Sequence, residues 1–309
     1  RDAGRAVSRF AGIDLRAQSR RADGELPQAH GVDAPAGALS GGRGGASRGG
    51  RADGGAVGEA RSRSDRTRPD QGGPDFSVAV GPDGYAWWYV DGIEDGGGRA
   101  VSVIGFIGSV FSPWYRWSGR RAPQNHCCIN VATYGPGGRF TMTDRGASAL
   151  RQTPDTLTVG PSRMHWTGSE LVIDINEWGA PPLVTPVRGR IVLTPSALTD
   201  FEANLTPEGT HRWRPFAPTA HIDVNLTQGN RWQGHGYFDA NFGSRALEDD
   251  FATWSWGRFP LQDGAACFYD ATRRDGSSLA LSLHVGRDGQ VAPLPAPPPA
   301  RLPRTICAL

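Results

Sequence analysis

The chain has 309 residues and a formal net charge of +2, a length that allows one large domain or two modest ones. That charge sums unlike parts, because residues 1–74 carry 13 Arg against 9 acidic residues while the remainder totals −2. A uniformly basic, nucleic-acid-binding chain is thereby excluded. No run of about 18 apolar residues is present, so no membrane-spanning helix is expected. The first residues lack the apolar core of a secretory signal, which points to the cytoplasm. Four cysteines, with Cys127 and Cys128 adjacent, provide neither a disulfide framework nor the C-x-x-C spacing of a metal site. The Gly41-Gly42-Arg43-Gly44-Gly45 run lacks the flanking strand and helix of a phosphate loop, so no bound cofactor is expected.

In chain order, residues 1–74 come first, with 13 Arg, 16 Gly, 13 Ala, 6 Ser and a single aromatic, Phe10. So few large apolar side chains cannot offset the entropy of ordering, and the segment is expected to be disordered. All ten Trp lie beyond it. From Asp75 onward the pattern is strand and turn. Phe76–Val80 reads as a short strand closed by Gly81-Pro82-Asp83-Gly84, and residues 85–90 and 99–111 as a hairpin around Asp95-Gly96-Gly97-Gly98. Turn signals recur at Gly135-Pro136-Gly137-Gly138, Thr167-Gly168-Ser169, Arg274-Asp275-Gly276-Ser277 and Arg287-Asp288-Gly289. Between them Leu171, Ile173 and Ile175 alternate with polar or small neighbours, as do Leu279, Leu281 and Leu283. The expected class is all-β, a sandwich or barrel. The hairpin pattern lapses near Thr206-Pro207-Glu208-Gly209, so two β domains are expected, over 75–199 and 200–309. A Pro-rich extended run from Pro293 to Pro303 closes the second.

The chemistry-bearing residues fall in four places. These are His211-Arg212-Trp213, the stretch from His235 to Gly243, the run Leu247-Glu248-Asp249-Asp250-Phe251 leading to Trp254-Ser255-Trp256, and Asn125-His126-Cys127-Cys128. Residues two apart on a strand share a face. His211 with Trp213, and Tyr237 with Asp239, can therefore line one cavity from neighbouring strands. A carboxyl group in an aromatic, water-poor site stays protonated and becomes a proton donor. Indole and phenol faces stabilise a carbocation, and a neutral His can hold and deprotonate water. The plainer reading makes Asp239 a turn cap and His211 a satisfied core residue. Glu248-Asp249-Asp250 reads as a solvated turn, with Asp249 and Asp250 the alternative acids. His126 and Cys127 face opposite ways as strand neighbours and read as turn and core.

Three strings resemble the carotenoid 1,2-hydratase (hydroxyneurosporene synthase) family of phototrophic bacteria. They are Phe106-Ile107-Gly108-Ser109-Val110-Phe111-Ser112-Pro113-Trp114-Tyr115, Asn125-His126-Cys127 with Asn130-Val131-Ala132, and Arg214-Pro215-Phe216-Ala217-Pro218. The motif from Gly236-Tyr237-Phe238-Asp239 through Leu247-Glu248-Asp249-Asp250-Phe251 to Trp254-Ser255-Trp256 belongs with them. The resemblance covers about residues 76–305. It implies two lipocalin-like β domains and cofactor-independent hydration of the terminal C1–C2 double bond of acyclic carotenoids such as neurosporene and lycopene. It also implies Asp239, His211, Trp213 and Tyr237 as the catalytic set, with Phe238, Trp254 and Trp256 as substrate-binding residues. The partners so implied are an acyclic carotenoid, water and peripheral contact with the inner membrane. Two rivals are a carotenoid or lipid carrier on the same barrels and a glycosidase pairing Asp239 with Asp249 or Asp250. The first has no need of a buried acid, and the second requires a polar cleft between two carboxyls.

Overall fold

The computed structural model describes residues 73–182, 184–227 and 229–296. Almost all of the segment expected to be disordered, and most of the Pro-rich run, lie outside the described residues. The rest is all-β. Four strands come first: β1 (Tyr85–Glu94), β2 (Ala100–Ile107), β3 (Cys127–Tyr134) and β4 (Arg139–Phe140). A meander follows through β5 (Leu150–Thr153), β6 (Thr156–Val159), β7 (Ser162–Trp166), β8 (Leu171–Trp178) and β9 (Pro186–Pro195). Then come β10 (Ala203–Asn204) and two long strands, β11 (His211–Leu226) and β12 (Asn230–Gly243). The chain continues with β13 (Phe251–Pro260), β14 (Gly264–Arg273), β15 (Ser278–Gly286) and β16 (Val291–Pro293). Short helices at Pro113–Trp117 and Leu247–Asp250 interrupt the pattern. No helix among the described residues is long and apolar enough to cross a membrane.

Two sheets result. The larger runs β4-β3-β2-β1-β12-β11-β9-β8-β7-β6-β5 with β10 beside β11, and the smaller runs β13-β14-β15-β16. The larger sheet curls round on itself, since Val101, Val103 and Ile129 from one end share a core with Leu157, Met164 and Ile173 from the other. Gly105 permits the closure: a Cβ there would sit 2.8 Å from both Leu157 Cδ2 and Met164 Sδ.

The strands shared between the two cores are buried on both faces. Along β1, Ala86, Trp88 and Val90 enter the curl while Tyr85 and Trp87 enter a second, inter-sheet cluster. Along β12, Phe238, Ala240 and Phe242 take the first side and Tyr237 the second. Period-two geometry produces this division directly. The smaller sheet covers the second side with Phe251, Cys267, Tyr269, Ala271, Leu279 and Leu283.

Several expectations need correction. Phe76–Val80 is irregular rather than a strand. Its Phe76 ring packs 5.1 Å from Trp88, and its Phe76 and Val78 carbonyls accept from the Gln152 side chain. An apolar run that fills the mouth of a curl can thus look like a strand in sequence. The break near residue 199 does not divide the sheets either. β11 and β12 lie beyond it yet pair with β9 and β1 in the larger sheet, and the smaller sheet begins at Phe251. The turns at 95–98, 135–138, 167–169, 274–277 and 287–289 fall between paired strands as expected.

A buried ion pair pins β13 to the larger sheet. Arg258 Nε donates to Asp91 Oδ1 over 2.7 Å, a second guanidinium N–H reaches the same oxygen, and Tyr89 donates to Asp91 Oδ2 over 3.1 Å. Arg258 is 5% exposed, so removing one partner strands a charge without water. Arg258→Ala is expected to destabilise the fold by about 3–5 kcal/mol, whereas the apolar double replacement Asp91→Leu/Arg258→Met recovers most of that loss. Chemical denaturation of the three proteins checks this; equal losses in the single and double variants would contradict it.

Candidate active site

The inter-sheet face of β1, β11 and β12 carries the candidate residues in register. Asp239 lies opposite Tyr89 on one side and Pro215 on the other, Asn241 opposite Trp87 and Trp213, and Gly243 opposite Tyr85 and His211. The β11–β12 ladder shifts register between Pro215 and Ala217 and again before Ala220. Pro215 and Pro218 lack the N–H that a regular ladder needs, and bulges of this kind re-aim side chains. The irregularity sits beside Asp239.

Asp239 is 3% exposed. Its Oδ2 accepts from Tyr237 Oη over 2.7 Å and from Trp213 Nε1 over 2.8 Å, while its Oδ1 is buried without a partner. Burial pushes the Asp239 carboxyl up to about 7; the bonds from Tyr237 and Trp213 oppose that shift, and the neighbouring Asp91 adds to it. The magnitudes explain the balance. A hydrogen bond to a charged group contributes about 1.5–3 kcal/mol, whereas an ionised carboxylate without water is far costlier. Burial also raises the Tyr237 hydroxyl well above its ordinary value, so it remains a donor.

Three of the four expected catalytic residues therefore meet in one hydrogen-bonded unit. His211 is buried in the same cluster's neighbourhood but bonds elsewhere. Its Nδ1 lies 2.9 Å from Tyr85 Oη and its Nε2 2.9 Å from Asp250 Oδ2. Burial lowers its pKa, with Asp250 opposing. A neutral imidazole has one donor and one acceptor, and here both are used. Gly243 makes room for this contact, since a Cβ would sit 2.2 Å from Tyr85 Cε1 and 2.9 Å from His211 Nδ1. Through Asp250, His211 ties β11 to the start of β13. With the Arg258–Asp91 pair, this holds β13 near both ends.

β13 presents Trp254 and Trp256 to the site. Trp256 packs 4.9 Å from the Tyr237 ring, and Trp254 lies 6.3 Å from Trp87 and 5.7 Å from Tyr269. The Trp256 indole N–H and Asn241 Oδ1 are buried without partners. Arg258 lies 5.6 Å over the Tyr237 ring. Phe238 departs from expectation: it stands on the other side of the sheet, 5.2 Å from Phe216 inside the curl, because neighbours on a strand alternate.

Sequence reasoning passed over Tyr85, Trp87, Asp91, Arg258 and Tyr269. Alternation in Tyr85-Ala86-Trp87-Trp88-Tyr89 was a usable signal for the first two. Of the acidic run, Asp249 is exposed, Glu248 pairs with Arg120, and Asp250 serves His211. Cys127 and Cys128 enter different clusters, and burial pushes the Cys127 thiol up to about 12, which leaves no reactive thiolate.

The family model described as carotenoid hydratase CrtC matches residues 103–309. An acyclic carotenoid 1,2-hydratase of Cereibacter sphaeroides is 71% identical over 203 residues, covering 66% of this chain and 73% of the relative. One of Rhodobacter capsulatus is 62% identical over 197 residues, covering 64% and 70%. The matched region contains Trp213, Tyr237 and Asp239, the His211–Asp250 tether of β13 and the covering sheet, so the chain belongs to the carotenoid hydratase family.

Proposed function

We propose that the chain adds water across the terminal C1–C2 double bond of an acyclic carotenoid by proton transfer from Asp239. The observation that carries this reading is the asymmetry of that carboxyl group. Oδ2 is occupied as an acceptor by two donors and Oδ1 is free, so in the neutral acid the proton rides on Oδ1. The O–H bond breaks as the π electrons of the alkene form a C2–H bond, leaving a tertiary cation at C1. The faces of Trp213, Tyr237, Trp254 and Trp256 stabilise that cation through their quadrupoles. A water oxygen then forms the C1–O bond, and its surplus proton returns to Asp239 Oδ1. The net change is alkene plus water to a tertiary alcohol, with the acid regenerated.

Asn241 Oδ1, unpartnered and two residues along the same face, is placed to accept from the incoming water. His211 acts here as a positioning residue: its two ring bonds fix Tyr85 and Asp250, and through Asp250 the strand that carries the tryptophans. Acyclic carotenoids such as neurosporene and lycopene dissolve in bilayers, so the protein meets its substrate by peripheral membrane contact. A carrier would gain nothing from an unpaired buried acid.

Two outcomes follow from the protonation state. Asp239→Asn keeps the shape of the side chain and lacks the acidic proton. It is expected to bind carotenoid as wild type does and to lose hydration by about 10²–10⁴-fold, measured as hydroxylated product from lycopene; the wild-type rate should fall as pH rises through about 7. Near-normal product formation by the variant would remove Asp239 as the acid. The second outcome concerns stability. The folded-state pKa is raised, so the native chain holds a proton that the unfolded chain releases. Its contribution is full below the unfolded carboxyl range and is lost as pH rises through about 7, on the order of 4 kcal/mol in all. Asp239→Asn should lack that slope and surpass wild type in stability above neutrality, as read by denaturation at several pH values; parallel curves would contradict it.

A further inference from the structure

We propose that the outer face of the 113–117 helix is a docking surface for a lipid bilayer that bears anionic headgroups. This deepens the reading above, on which it rests only in taking a bilayer-dissolved polyene as the substrate. Trp114 and Trp117 are 56% and 76% exposed. At i and i+3 they share one helix face, and their rings meet edge to face at 6.3 Å.

The helix cannot turn these rings inward. On its opposite face Tyr115 is 1% exposed and donates to the Gly84 carbonyl over 2.7 Å. The Ser112 hydroxyl caps the helix by accepting the Tyr115 N–H. Arg120, just past the helix, is tied to Glu248. The aromatic pair is therefore held out rather than left out.

Charge identifies the occupant. Residues 113–121 contain three Arg and no acidic residue; Glu248 pairs with Arg120 and lies 4.0 Å from Arg116, while Arg116 and Arg121 are both exposed. Indole rings with an apolar body and one N–H are stabilised at the headgroup boundary, and nearby arginines are drawn to anionic lipid. The surface also connects to the site. Phe111 packs 5.3 Å from Phe106, Phe106 5.8 Å from Trp87, and Trp87 6.3 Å from Trp254. An aromatic series thus runs from Trp254 to the base of the exposed helix, which suits transfer of a long apolar substrate from a membrane.

The test is flotation of the full chain with phosphatidylcholine vesicles that contain about one third phosphatidylglycerol, and with phosphatidylcholine alone. Wild type is expected to float with the anionic vesicles. Trp114→Ala/Trp117→Ala should partition at least about 10-fold more weakly, and Arg116→Glu/Arg121→Glu should lose the preference for anionic lipid. Hydration of detergent-dispersed lycopene by the tryptophan variant should equal wild type, since neither residue touches the Asp239 unit. Equal flotation of wild type and the tryptophan variant, or no flotation of either, would overturn the proposal. So would a wild-type dimer that the variant converts to monomer without any lipid binding, which would make the face a contact between copies. Flotation that depends on both tryptophans, in a wild type that fails to hydrate lycopene, would leave the docking surface standing and sink the hydration reading.

Discussion

A carboxyl group enclosed by aromatic rings, with one oxygen bonded and the other bare, is the feature on which the proposed chemistry depends. Water would stabilise the Asp239 anion far more than two donors can, and the fold excludes that water. Tyr237 and Trp213 do not cancel the effect of burial; they select which oxygen is left to carry the proton. The same contacts thus moderate the acidity and aim the acid. Asp91 adds a further push against ionisation, and its own charge is held by Arg258. The ion pair that secures β13 therefore also belongs to the electrostatic setting of the acid.

Enclosure of this kind requires two sheets. A curled sheet buries one face by itself, but residues on its second face would be wet without a cover. β12 serves both faces, with Phe238 and Phe242 in the curl and Tyr237 and Asp239 beneath β13. The cover is positioned by polar contacts rather than by apolar packing alone. His211 with Asp250 and Arg258 with Asp91 fix the two ends of the strand that bears Trp254 and Trp256. Apolar surfaces slide over one another at little cost, whereas buried charge pairs lose stability steeply when displaced. Such tethers suit a site where ring faces must stand over a reacting carbon.

Local signals in the sequence were informative about strands and turns. Leu171, Ile173 and Ile175 alternate into the core as their spacing implied, and the Gly-rich turns close the expected hairpins. Tyr237 with Trp213 converged on Asp239 because i, i+2 spacing is a property of the strand itself. What sequence did not disclose was long-range. Arg258 and Asp91 lie 167 residues apart, and nothing near either one marks its partner. A lapse in hairpin pattern, such as that near residue 199, marks a loop, whether or not a sheet ends there. Phe238 lies in the curl, on the side that strand alternation with Asp239 dictates. His211 was legible as a buried residue, but the claim of both its nitrogens by Tyr85 and Asp250 is visible only in three dimensions.

Proton transfer from Asp239 requires that it be a neutral acid near physiological pH. Infrared difference spectra of wild type against Asp239→Asn, recorded across a pH titration, observe that proton directly through the carbonyl stretch of a protonated carboxyl group. The expected result is a band present in wild type, absent from the variant, and lost with a midpoint near 7. A carboxyl group that is already ionised throughout the range above the ordinary Asp value of about 3.9 would contradict the account.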